Sequence, residues 1–145
     1  MRMRSKADIV VFDESGQSIA LVRVIGDRQS TEERALEVRH LTFRRNPPSV
    51  PFFLVIAADF TYFWTRADSE RPALRVPTNE LLDNYIGHLN STLENMGRGP
   101  LELTVGSWLI DVTNGLPKAI EHPALRESGF AAAVLDGWVD FADAA

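Results

Sequence analysis

Asp8 and Arg23 are the residues of this chain whose types and spacing come nearest to a reaction centre. Asp8 opens the apolar run Ile9-Val10-Val11-Phe12, and Arg23 follows 15 residues later in Leu21-Val22-Arg23-Val24-Ile25. Between them Asp13-Glu14-Ser15-Gly16 has turn chemistry, with a glycine able to take φ > 0, so the stretch predicts a β-hairpin whose ends bring Asp8 to Arg23. A carboxylate buried at a strand end costs free energy unless something pairs with it. Metal-dependent phosphodiester hydrolysis would need several oxygen ligands around one or two Mg²⁺ ions and a cation near the attacking water. A lone Asp facing an Arg is instead a salt bridge, because the guanidinium fills the space and repels the ion.

Other residue types support less. His40, His88 and His122 lie far apart with no paired ligand spacing, which points to structural histidines rather than zinc. No Ser or Thr stands in a nucleophile-elbow context, and there is no glycine-rich phosphate loop. Arg39, Arg44 and Arg45 are candidate phosphate contacts, although cations near a helix C-terminus are favourable for the helix dipole alone. Tyr62, Phe63 and Trp64 could stack on bases, but aromatic residues in a strand more often belong to a core.

The elements that must position these groups follow from periodicity. Ser30 and Glu33 have capping-box spacing, which predicts a helix from Ser30 to about Arg45, where Asn46-Pro47-Pro48 stops it. Its apolar side carries Ala35, Val38 and Leu41, and its polar side Glu33, Glu37, His40 and Arg44. Phe52 to Ala58 reads as a strand buried on both faces and joined to the hairpin by a parallel crossover, and Phe60 to Thr65 as its hairpin partner. Residues 66–77 read as an exposed connection. A helix from Thr78 with the stripe Leu81, Leu82, Tyr85, Ile86, Leu89, Leu93 and Met96 runs to Gly97-Arg98-Gly99-Pro100. A further helix carries Leu101, Val105, Trp108, Leu109 and Val112. Short helices near Pro123–Glu127 and Phe130–Asp136 and an edge strand at Trp138–Phe141 complete the chain.

The composition is that of an ordinary globular domain, 45% hydrophobic and 24% charged over 145 residues, and one domain over residues 1–145 is expected. The absence of cysteine excludes disulfides and thiolate metal sites and fits a cytoplasmic protein. The longest apolar run, Phe52 to Ala58, is too short to cross a membrane. The net charge of −5 is uneven: residues 1–50 hold nine Lys/Arg against seven Asp/Glu, and residues 51–145 hold six against thirteen. A basic first half could meet phosphates while the acidic second half faces away.

Asp8-Ile9-Val10-Val11 followed by Leu21-Val22-Arg23-Val24-Ile25 resembles the opening of the PD-(D/E)xK nuclease core, as found at the N-terminus of type I restriction-enzyme R subunits and in stand-alone bacterial relatives. Ser30-Thr31-Glu32, Phe52-Phe53-Leu54 and Ser107-Trp108-Leu109 extend the resemblance over most of the chain. It implies an α/β fold of the restriction-endonuclease-like kind. That fold is a mixed four-stranded sheet in the order β-β-α-β-β over residues 1–65, followed by a mostly helical part over residues 78–145. In that family the strand Asp and a Glu hold the metal and a Lys supplies the cation. Here Asp8 matches the Asp, while Arg23 and Ile25 stand at the Glu and Lys positions. The expectation is therefore a catalytically inactive binding module with no cofactor, whose partner is DNA, a second copy of itself or another protein. Two alternatives stay open. One is an active Mg²⁺-dependent deoxyribonuclease in which Glu33 or Glu37, or Asp13, Glu14 or Asp27 from strand ends, replaces the missing carboxylate. The other is a structural partner protein without affinity for nucleic acid.

Overall fold

The computed structural model describes residues 8–45, 49–66, 68–86 and 93–141. The hairpin forms as its composition dictates: β1 (Ile9–Phe12) pairs antiparallel with β2 (Ser18–Val24), with Ile9 opposite Val22 and Val10 opposite Leu21. The Asp13 carboxylate closes the turn by accepting from the Ser15 hydroxyl and from the amides of Ser15 and Gln17, and Gly16 takes φ 91°. α1 (Glu32–Thr42) then crosses to β3 (Phe52–Ile56), which lies parallel to β2, and β3 turns back into β4 (Phe60–Trp64). The first five elements thus come in the expected order.

Among the described residues the sheet has six strands: the four of the expected core, the edge strand expected at Trp138–Phe141 and one that was not expected. Residues 66–77 are not only a connection, because β5 (Leu74–Pro77) adds to the edge beside β4, and β6 (Trp138–Phe141) adds to the other edge beside β1. The strand order is β5-β4-β3-β2-β1-β6. Pro77 sits at the end of an edge strand, where a missing N–H costs no ladder bond. β6 thus returns to β1, so that strands far apart in sequence pair at this edge of the sheet.

Helix boundaries moved for local reasons. Thr31, not Ser30, caps α1, its hydroxyl accepting from the Arg34 amide at 3.1 Å, while Ser30 donates its amide and hydroxyl to Asp59 at the β3–β4 turn. α1 ends at Thr42 rather than Arg45; the Thr42 hydroxyl bonds back to the Val38 carbonyl. α2 is described over Thr78–Ile86, and Leu93–Asn95, expected within the same helix, form a turn of 3₁₀-helix; His88 and Leu89 lie outside the described residues. α3 (Arg98–Thr113) buries the predicted Leu101, Val105, Trp108, Leu109 and Val112, and its start at Arg98 makes part of the supposed stop signal the first turn of a helix. α4 (Pro117–Ile120), α5 (Pro123–Glu127) and α6 (Phe130–Val134) are short.

Two cores result. α1 covers one face of the sheet through Ala35 and Val38 against Ile25, Phe53, Val55, Tyr62 and Trp64. α2 to α6 cover the other through Trp108, Leu109 and Phe130 against Ile9, Val22, Leu54 and Phe63. β3 is buried along its whole length, as an apolar run covered on both faces must be. Trp108 shows how such a core tolerates an indole: it is fully buried, and its N–H donates to the Ala119 carbonyl at 3.1 Å. Among the described residues no helix is long and apolar enough to cross a membrane.

Candidate functional site

The pairing of β1 with β2 places Asp8 and Arg23 together. The Asp8 amide donates to the Val22 carbonyl at 2.9 Å, which continues the ladder one residue beyond β1 and leaves the carboxylate beside the end of β2. There Asp8 is 5% exposed. Its Oδ2 accepts from the Val24 amide at 2.7 Å and lies 3.4 Å from Arg23 Nε. Arg23 is held from its other end, where Nη1 donates to the Thr42 hydroxyl at 3.1 Å. Its buried Nε makes an ion-pair approach to Asp8 without hydrogen-bond geometry.

A third residue completes the cluster. Arg98, in the first turn of α3, donates Nη2 to Asp8 Oδ1 and Nε to the Val24 carbonyl at 3.0 Å, and the same Nη2 lies 3.2 Å from Glu102 Oε1 one turn further along. Among the described residues, two guanidiniums, those of Arg23 and Arg98, thus meet the carboxylate of Asp8, and Arg98 also meets that of Glu102. Both Asp8 oxygens are occupied, one by Arg98 and the other by a backbone amide with Arg23 alongside. Sequence reading missed Arg98 and Glu102 because Gly97-Arg98-Gly99-Pro100 read as a helix stop. The available signal was the i,i+4 spacing of Arg98 and Glu102, with Pro100 admissible in a first helical turn.

The remaining candidates do not converge on Asp8. Ile25, at the family's lysine position, is 4% exposed in the core under α1. Glu33 is exposed on α1, and Glu37 is exposed and paired with Arg34, which also reaches Asp27 at 3.2 Å. Asp13 is committed to its turn, where the Ser15 hydroxyl first and the Gln17 amide next hold its carboxyl below the usual carboxylate range, and Glu14 is exposed beside it. Arg44 and Arg45 are exposed just past α1, whereas the Arg39 guanidinium stands 5.8 Å from the Phe43 ring centre. Tyr62, Phe63 and Trp64 are buried, which leaves none of them a free face for a base.

Of the two described histidines, His122 has a structural role. His122 Nδ1 accepts from the Ala124 amide at 3.0 Å and so caps α5, which leaves Nε2 to donate to Glu80 Oε1 at 2.8 Å. His40 is exposed on α1. On the far helical layer Tyr85 donates to Asp111 at 2.7 Å, and partial burial with that bond pushes its phenol well above the ordinary value.

A divalent ion does not fit the Asp8 cluster as it stands. Mg²⁺ needs oxygen ligands at about 2.0–2.1 Å in near-octahedral geometry, and a guanidinium nitrogen already contacts Asp8 Oδ1. Among the described residues no group of three or more His, Asp or Glu side chains is arranged to hold a metal. Comparison of the chain with protein-family models, with curated proteins and with solved structures finds no match.

Proposed function

We propose that the chain is a non-catalytic binding module built on a restriction-endonuclease-like core, with its metal position given over to an ion cluster. The observation that carries this reading is the state of Asp8, whose carboxylate oxygens are taken by Arg98, by the Val24 amide and by the approach of Arg23. The β-β-α-β-β order of the first five elements and the hairpin motif support the fold assignment. A nuclease needs open ligand positions and a cation free to meet the scissile phosphate, and here Arg23 and Arg98 are both engaged with carboxylates. The relocated-carboxylate alternative draws no support from Glu33 or Glu37, which are exposed on α1, with Glu37 paired to Arg34, and which join no metal-holding group among the described residues.

The partner we assign is the phosphate backbone of DNA, met by Arg44 and Arg45, which are exposed beyond the end of α1. The test has two arms. Supercoiled plasmid and branched DNA are incubated with the protein in Mg²⁺ or Mn²⁺, with Asp8→Ala as control; the reading expects no cleavage, and cleavage abolished by Asp8→Ala contradicts it. Binding of labelled duplex DNA is then measured against salt concentration for the wild type and for Arg44→Glu/Arg45→Glu. The expected result is salt-sensitive binding that the double variant weakens by tenfold or more, with a shallower salt slope. No affinity even at low salt removes DNA as the partner and favours a protein partner.

A further inference from the structure

We propose that Arg98 is a built-in cation. Its guanidinium sits among three hard oxygen acceptors from three elements and does the electrostatic work that a divalent ion would do there. The inference rests on the reading of a nuclease-like core with a surrendered metal position, and it names what took that position. The three acceptors are Asp8 Oδ1 ahead of β1, the Val24 main-chain carbonyl on β2 and Glu102 Oε1 on α3. Two carboxylates and a backbone carbonyl are the donor chemistry preferred by Mg²⁺, Mn²⁺ and Ca²⁺.

The guanidinium meets these oxygens with a planar fork of N–H donors that is charged at every working pH. A divalent ion added beside it would meet a fixed positive charge at contact distance and would have to displace hydrogen bonds already made. Without that guanidinium the same three oxygens, two of them from carboxylates, would lose the positive charge that now lies between them, while Arg23 would remain beside the far oxygen of Asp8. The cluster is thereby independent of metal supply, and the junction of β1, β2 and α3 is closed by the chain itself.

The test titrates Mn²⁺ alone into the wild type, Arg98→Ala and Arg98→Ala/Glu102→Gln by calorimetry, with folding checked by circular dichroism and thermal melting. The expected result is no saturable binding to the wild type, one Mn²⁺ bound by Arg98→Ala, and binding weakened tenfold or more by the added Glu102→Gln. A folded Arg98→Ala that binds no Mn²⁺ overturns the assignment, as does a wild type that binds equally well or a double variant that binds unchanged. Arg98→Gln, which keeps most of the aliphatic stem, serves where Arg98→Ala fails to fold. Where neither folds metal-free, Mn²⁺ is expected to restore Arg98→Ala but not the double variant, and failure of that rescue also overturns the assignment. Cleavage of DNA by a wild type that takes no Mn²⁺ here would sink the non-catalytic reading and leave the role of Arg98 standing.

Discussion

Removing the Asp8 carboxylate would orphan a buried backbone N–H and leave two guanidiniums facing each other. Asp8→Ala is therefore expected to lower stability in urea unfolding by about 3 kcal/mol, the low end for a broken buried pair because Arg98 is half exposed. Asp8→Asn, which can still accept from the Val24 amide, should cost less; equal losses would show that the charge accounts for the whole effect and the retained acceptor for none of it. Asp13 gives a pH prediction at the same scale. Its folded-state pKa is lowered, so its contribution is present above the unfolded value of 3.8 and is lost as pH falls through the folded value. Carboxyl NMR should place its midpoint below 3.8, and Ser15→Ala should move it back up. Asp8 and its pairing with Arg23 were legible because a hairpin of that length brings its ends together. Arg98 was not, because its partner is 90 residues away and only tertiary packing joins them.

At the level of elements, β6 depends on a single absent methyl group. Gly106 lies on the inner side of α3, and a Cβ there would stand 2.4 Å from Cζ of Phe141, the last residue of β6. Gly106→Ala is expected to cost about 1–3 kcal/mol through overpacking and to speed hydrogen exchange at the amides of β6, measured by NMR. Adding Phe141→Ala, which removes the clashing ring, should recover part of the exchange protection at β6, and a neutral Gly106→Ala would show that β6 is not held through this contact. The elements that were easy to read are those with strong period: the buried run of β3, the stripe of α3 and the β-branched hairpin. β5 escaped because Leu74-Arg75-Val76-Pro77 is short and charged and ends in proline, so pairing with β4 decides its state more than its own composition does. Ser30 escaped as a false cap because the Asp59 carboxylate, distant in sequence, outcompetes the helix for its hydroxyl.

At the scale of the molecule, the described residues form a six-stranded sheet with one α-helix on one face and five on the other, and the ion cluster lies where β1, β2 and α3 meet. The order of the first five elements was legible from hydrophobic period and crossover length, as was the edge strand at Trp138–Phe141, whereas β5 on the other edge is recruited only by the assembled fold. The account as a whole stands on Asp8 being the partner of Arg98 rather than the ligand of an ion. A double-mutant cycle between Asp8→Asn and Arg98→Gln, read by urea unfolding in metal-free buffer, tests that most directly. Direct partners should show a coupling energy above about 1 kcal/mol. Losses that add within about 0.5 kcal/mol would mean that the two side chains do not depend on each other, and would contradict the account.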